Sequence, residues 1–211
     1  MEKQKREIRS FGGDASPTLV EDRVIEGYAV VFDQESRVMY DWYNDHAFVE
    51  VIRKSAVTEE FLKQCDVKAL VEHDRSRMLA RCFNGNGSLE LSVDGHGVKY
   101  RFEAPNTADG DYVVEMIRRG DIFGSSFAYT ADDKVDIKYS RRDDETVLRE
   151  VIGMTGFYDV SPVSDPAYMG TEVNARSINE ALGETKEEVK EEPEVNENYL
   201  EEVKNLRELS K

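Results

Sequence analysis

Cysteine is nearly absent. Cys65 and Cys82 are the whole complement, too few for a disulfide framework, and each is expected to be a small buried hydrophobe in a reducing compartment. Histidine is scarce as well. His46, His73 and His96 stand far apart, and neither HExxH nor CxxC occurs, so the metal motifs are missing and no metal is expected. No glycine-rich phosphate loop follows a strand, and the G-x-S-x-G nucleophile elbow is lacking, so no nucleotide cofactor is expected either. No stretch reaches the roughly 18 apolar residues of a membrane span. The opening MEKQKREIRSFGG is charged without the apolar run of a signal peptide. Positive charge is in deficit: 28 Lys and Arg face 44 Asp and Glu, a net charge of −16. That balance argues against nucleic acid or an anionic membrane as the main partner, because both need a basic face. Apolar residues make up 39%, low for a wholly globular chain, so part of it is expected outside the core.

What is present divides near residue 177. Residues 1–19 read as a polar lead-in, 20–176 as the body, and 177–211 as an acidic tail. The tail is rich in glutamate, poor in apolar residues and interrupted by Pro193, the composition of a solvated, disordered or fraying helical segment. Its end places Leu200, Val203, Leu206 and Leu209 three apart, an amphipathic helix too short to be stable alone.

Strand signals dominate the body. VIEGYAVVF (24–32), DVKALVEH (66–73) and RMLARCF (77–83) are β-rich, with DRSR as the expected turn between the last two. SLELSV (88–93) and VKYRFE (98–103) alternate around DGHG, a hairpin signal. Further strands are expected at 122–130, 146–154 and 156–163, with a polar excursion at 131–145. Two helices are expected. One covers 56–64, capped by Ser55 or Thr58. The other covers 108–119, capped by Thr107 or Asp109, with Tyr112, Val113, Met116 and Ile117 on its apolar face and Gly120 at its end. Many short strands with two inserted helices suggest a β-barrel or sandwich with helical decoration.

Three residues stand out. In the strand from Ile122 to Tyr129, period two puts Phe123, Ser125, Phe127 and Tyr129 on one face and Ile122, Gly124, Ser126 and Ala128 on the other. The aromatics mark the first face for packing. Ser126, flanked by small residues, is the better nucleophile of the two serines; the alternative is a Gly/Ser strand making a close backbone contact. His73 ends an apolar strand, where it is either a core-edge histidine bonded to a carbonyl or a catalytic base. Glu150 falls between Leu148 and Ile152 on one strand face. If that face is buried, its carboxylate needs a partner such as an imidazole; if exposed, it pairs with Arg149 or Arg142.

Four segments in order resemble the prohead (procapsid maturation) serine proteases of tailed bacteriophages, which are similar in fold to the herpesvirus assemblins. They are IEGYAVVFDQES, LVEHDRSRMLAR, DYVVEMIRRGDIFGSSFAY and LREVIGMTGFYDVSPVSDPAY, together spanning about residues 20–176. The resemblance implies an α+β, mainly β fold: an assemblin-like closed β-barrel decorated by helices. It implies that His73, in the pair His73-Asp74, is the general base. It implies that Ser126, in Gly124-Ser125-Ser126-Phe127 after Arg119-Gly120-Asp121, is the nucleophile, in agreement with the face argument. For the third member it implies an acid, with Glu150 the first choice by its spacing from Ser126 and Asp159 the second. The chain departs from the family pattern in having Ser125 where Met is commoner, and in carrying Pro162 after Val160-Ser161; neither removes a catalytic group.

The implied reaction is acyl transfer: Ser126 attacks a peptide carbonyl, His73 carries the proton, and the acid orients the imidazole. No cofactor is needed. Oxyanion donors are expected among the amides of 159–164. The implied partners are the phage major capsid protein, through its scaffold segment, or a separate scaffolding protein, with possible homo-oligomers and self-cleavage. The implied location is the assembling procapsid in the bacterial host cytoplasm. The rival reading is a non-catalytic assembly or scaffold module acting through its acidic tail.

Overall fold

The computed structural model describes residues 6–36, 38–41 and 46–165. The boundary near residue 177, the acidic tail and the helix expected at its end lie outside the described residues. Strands carry most of the described chain. In order they are β1 (Glu7–Phe11), β2 (Thr18–Leu19), β3 (Val24–Val31), β4 (Met39–Asp41), β5 (His46–Ile52), β6 (Asp66–Val71), β7 (Asp74–Phe83), β8 (Asn86–Gly87), β9 (Leu89–Val93), β10 (Gly97–Glu103), β11 (Gly124–Thr130), β12 (Ile137–Arg141), β13 (Val147–Val151) and β14 (Gly156–Val163). Helix α1 (Glu59–Leu62) precedes β6, and α2 (Ala108–Arg119) precedes β11.

The strands form three sheets. The largest runs β1-β11-β14-β6-β7-β8; the second runs β2-β3-β10-β9; the third runs β12-β13-β5-β4. No ladder closes these sheets among the described residues, so the expected closed barrel is corrected to three open sheets packed through their faces. The reason is visible between β3 and β11. They meet face to face and not by a ladder: at Gly27 an added Cβ would stand 2.9 Å from Ser125 Oγ of β11. Only a glycine lets the second sheet approach that closely.

The core between these sheets is built by alternation. Val98, Tyr100 and Phe102 of β10 are buried, as are Ile25, Ala29 and Val30 of β3. From β11, Phe127 and Tyr129 stack with ring centroids 5.3 Å apart, and Phe127 lies 5.4 Å from the Phe157 ring of β14. Helix α2 begins at Thr107, whose side chain accepts from Gly110 N, and ends at Gly120 in the left-handed conformation with φ 80°. That stop turns the chain directly into β11.

Two expectations about strand placement change. Residues 7–19, expected as a lead-in, join the body, because β1 pairs antiparallel with β11. The β6–β7 turn falls at Glu72–His73, not at DRSR. Val71 pairs with Asp74, and Glu72 (φ 52°) and His73 (φ 58°) both take left-handed conformations between them, the pattern of a two-residue type I′ hairpin. The DRSR residues instead bulge inside β7, where Asp74 Oδ1 accepts from Ser76 N at 2.9 Å and the ladder jumps to Leu70–Met78.

Candidate active site

Three neighbouring strands of the largest sheet deliver one polar cluster. On β11, Ser126 pairs directly with Ser161 of β14. Period two then puts Asp159 and Ser161 on the same face of β14. On its far side β14 pairs in parallel with β6, Asp159 opposite Lys68, and β6 leads into the tight turn that holds His73. The positive φ at His73 is uncommon for a non-glycine residue, though histidine adopts it more readily than most. It swings the imidazole back over β14.

The result is a chain of contacts. His73 Nε2 lies 2.5 Å from Ser126 Oγ, and His73 Nδ1 lies 2.5 Å from Asp159 Oδ1. Ser161 Oγ donates to Asp159 Oδ1 at 3.2 Å and accepts from the His73 backbone N–H at 3.3 Å. Ser126, Ser161 and Asp159 are buried, with exposures of 0%, 0% and 7%. A hydroxyl, an imidazole and a buried carboxylate in line can move a proton off the hydroxyl and hold the resulting cation.

The profile of the Caudovirus prohead serine proteases matches residues 14–187. The chain belongs to this family. It is therefore a serine protease, which removes the non-enzymatic alternative. Among solved structures, the bacteriophage T4 capsid assembly protease gp21 is similar at 15% identity, with 76% of this chain and 98% of that chain covered and a TM-score of 0.44. No curated protein matches the chain significantly.

In the protease, Ser126 and His73 meet as expected from the sequence, and Glu150 does not join them. Glu150 Oε1 accepts from Arg53 Nε at 2.7 Å and Nη2 at 2.5 Å, with 24% of its side chain exposed. The parity of β13 explains this correction: Val147, Arg149 and Val151 face inward, leaving Leu148 and Glu150 on the more open side. The carboxylate on the imidazole is Asp159, the second choice. The amide of Ser164, within the stretch expected to supply oxyanion donors, instead donates to Glu72 Oε1 at 2.7 Å.

Sequence reasoning missed Ser161, although the alternation Asp159-x-Ser161 was available to place it. It also missed a buried ionic cluster behind β11. Glu50 of β5 and Arg149 of β13 are cross-strand partners and form an ion pair. Arg9 of β1 grips Glu50 with two bonds, Nε to Oε1 at 2.5 Å and Nη2 to Oε2 at 2.7 Å. Glu7 of β1 accepts from Arg149 Nη2 at 2.8 Å and from Arg9 Nη2 at 2.6 Å. Burial alone would raise the Glu50 carboxyl, but the guanidinium groups of Arg9 and Arg149 outweigh it and hold the pKa below the ordinary value.

A cleft of about 370 Å³ reaches the carboxylate end of the polar cluster, where Asp159, Lys68 and Arg75 line it; Ser126 does not. Among the described residues no helix is long and apolar enough to cross a membrane.

Proposed function

We propose that this chain is the serine endopeptidase of phage head maturation, with Ser126 as nucleophile, His73 as general base and Asp159 as the orienting acid. The observation that carries the reading is the continuous contact from Ser126 Oγ through both nitrogens of His73 to Asp159. In acylation His73 Nε2 takes the Ser126 proton as Oγ adds to the scissile carbonyl, then returns it to the leaving amine. In deacylation water repeats the sequence. Asp159 fixes the tautomer with Nδ1 protonated and stabilises the imidazolium. Ser161 restrains both partners, since its hydroxyl touches Asp159 and its oxygen holds the His73 amide. This leaves the imidazole little freedom to rotate away.

The substrates proposed are the scaffold segment of the major capsid protein or a scaffolding protein, and the protease itself. Family membership supports this, as does the acidic tail, whose composition suits a segment that is delivered into the shell or removed. The site of action proposed is the assembling procapsid. The test is co-expression with the neighbouring capsid-protein gene, followed by mass spectrometry of the termini. Wild type should generate new capsid-protein termini, and Ser126→Ala and His73→Ala none, with unchanged circular dichroism. Processing that persists in Ser126→Ala would overturn the assignment.

A further inference from the structure

Ser126 is fully buried, and what covers it is β1. Arg9 and Ser10 of β1 lie opposite Phe127 and Ser126 of β11. Ser126 Oγ donates to the Arg9 carbonyl oxygen at 2.8 Å and accepts from Ser10 Oγ at 2.9 Å. Both contacts compete with catalysis: the serine has one proton, and while it points at Arg9 O it is not on His73 Nε2. A protease with this nucleophile cannot reach a substrate while β1 stays in place.

β1 is also held as a peptide would be held. It adds to the edge of β11 by main-chain pairing, the common mode for binding extended peptides. Ser126 Oγ stands on one face of this pairing, 2.8 Å from the Arg9 carbonyl oxygen. The Arg9 side chain points to the opposite face, where it meets the Glu50 carboxylate in a two-point grip. Two residues earlier, Glu7 meets Arg149. Glu50 and Arg149 belong to the third sheet, not to β1, so they remain when β1 leaves. Paired with each other, each also offers one further charged contact. These contacts suit a basic residue at the scissile carbonyl and an acidic residue two positions before it.

We propose that β1 occupies the substrate slot of the protease and that Glu50 and Arg149 make this slot selective for peptides of the form acid–x–base, cut after the base. The inference rests on the catalytic reading of Ser126, His73 and Asp159. In β1 itself the sequence is Glu7-Ile8-Arg9, and the bond presented is Arg9–Ser10. Cutting it would form an ester between Ser126 Oγ and the Arg9 carbonyl carbon, with the serine proton passing through His73 to the departing Ser10 nitrogen. Water would then hydrolyse the ester, leaving an Arg9 carboxylate and restoring Ser126.

The experiment uses the full chain. Purified wild type, Ser126→Ala, Arg9→Lys and Arg9→Glu proteins are incubated and their termini read by mass spectrometry. Each is also scored for cleavage of a capsid-protein fragment and for phosphonate labelling at Ser126. A chain beginning at Ser10 is expected in wild type and Arg9→Lys, absent in Ser126→Ala, and reduced at least tenfold in Arg9→Glu. Because Arg9→Glu can disturb folding, a denatured protein library is digested in parallel with wild type. Arg or Lys should precede the cut at least tenfold more often than Glu or a neutral residue, with Asp or Glu enriched two positions earlier. If the capsid fragment is cut and Ser126 labels, but Arg9–Ser10 stays whole and the cuts follow non-basic residues, the slot assignment is overturned and the catalytic one stands. If Ser126 neither labels nor supports any cleavage, both fall.

Discussion

Ser125 and Ser126 are adjacent in the chain, and the pleat gives them unrelated tasks. Ser126 meets His73, whereas Ser125 Oγ donates to Ala15 O at 2.6 Å and lies 2.9 Å from the Tyr100 hydroxyl. Ser125→Ala should therefore keep catalytic turnover and lose stability. It strands a buried hydroxyl and a buried carbonyl, at a cost of about 1–3 kcal/mol, readable as a lower urea midpoint with kcat intact. The two acids separate in the same way. Asp159→Asn, nearly isosteric, leaves Nδ1 facing an amide that does not stabilise the imidazolium, and kcat should fall on the order of 10³–10⁴-fold. Glu150→Gln breaks a half-open pair with Arg53 and should leave kcat unchanged, with a stability loss of about 0–1 kcal/mol. Kinetics showing Glu150→Gln dead and Asp159→Asn active would reverse the roles. Ser126 was legible because strand parity and family order agree on it, and His73 through family order alone. The carboxylate beside the imidazole was misplaced because Glu150 and Asp159 both follow Ser126 at reasonable spacing. Only the sheet order β11-β14-β6 shows which of them can face a histidine delivered by the β6–β7 turn.

Elements with strong punctuation were read from the sequence almost to the residue. Helix α2 has Thr107 at its start and Gly120 at its stop, and the DGHG hairpin closes between β9 and β10 as expected. The Gly120 position is open, with nothing within 4 Å of an added Cβ. Gly120→Ala should therefore cost only the left-handed backbone penalty, about 1 kcal/mol. In a domain of this size that is a fall in Tm of about 2–4 °C, measurable by calorimetry; a rise in Tm would mean the cap is not left-handed in solution. Strands β1, β5 and β12 were not legible, for a common physical reason. EIRSF, HAFVEVI and IKYSR carry charges, and period-two reading sends charge to solvent. In β1 and β5 that assumption fails, because Arg9 and Glu50 are buried and paired with each other. The inward position of Arg149 on β13 hid for the same reason, so the cluster appeared only when three distant segments came together. Barrel closure failed differently: strand count and alternation are the same for closed and open sheets, and only the ladders distinguish them.

At the scale of the whole molecule, the Arg9–Glu50–Arg149–Glu7 cluster joins the third sheet to β1 at the edge of the largest one, and it makes that junction sensitive to acid. A buried pair is weak grounds for stability when compared with an apolar replacement, but stripping the charge from one member leaves the others uncompensated. Glu50 is the fully buried carboxylate of the cluster, and acid can neutralise it. Its native pKa lies below the ordinary carboxylate value of 4.5, as burial, which opposes ionisation, is outweighed by Arg9 and Arg149. The unfolded chain therefore takes up this proton first as pH falls. The stabilisation is fully present above about pH 4.5 and is lost progressively as pH drops through the lowered native value, with a slope of at most about 1.4 kcal/mol per pH unit for one proton. The exposed Glu35–Arg142 pair, also with a lowered carboxyl, has the same sign but lies in solvent, where screening leaves little effect. Hydrogen exchange separates the two. Between pH 6 and pH 3, protection of the β1 and β11 amides should decline more than that of β9 and β10, after correction for the intrinsic pH dependence of exchange, and Glu35→Gln should leave that difference unchanged. Uniform loss of protection across all sheets would show that acid unfolds the chain as a unit. Selective loss at β1 would show that the strand over Ser126 is held chiefly by charge, and that it can leave while the rest of the fold remains.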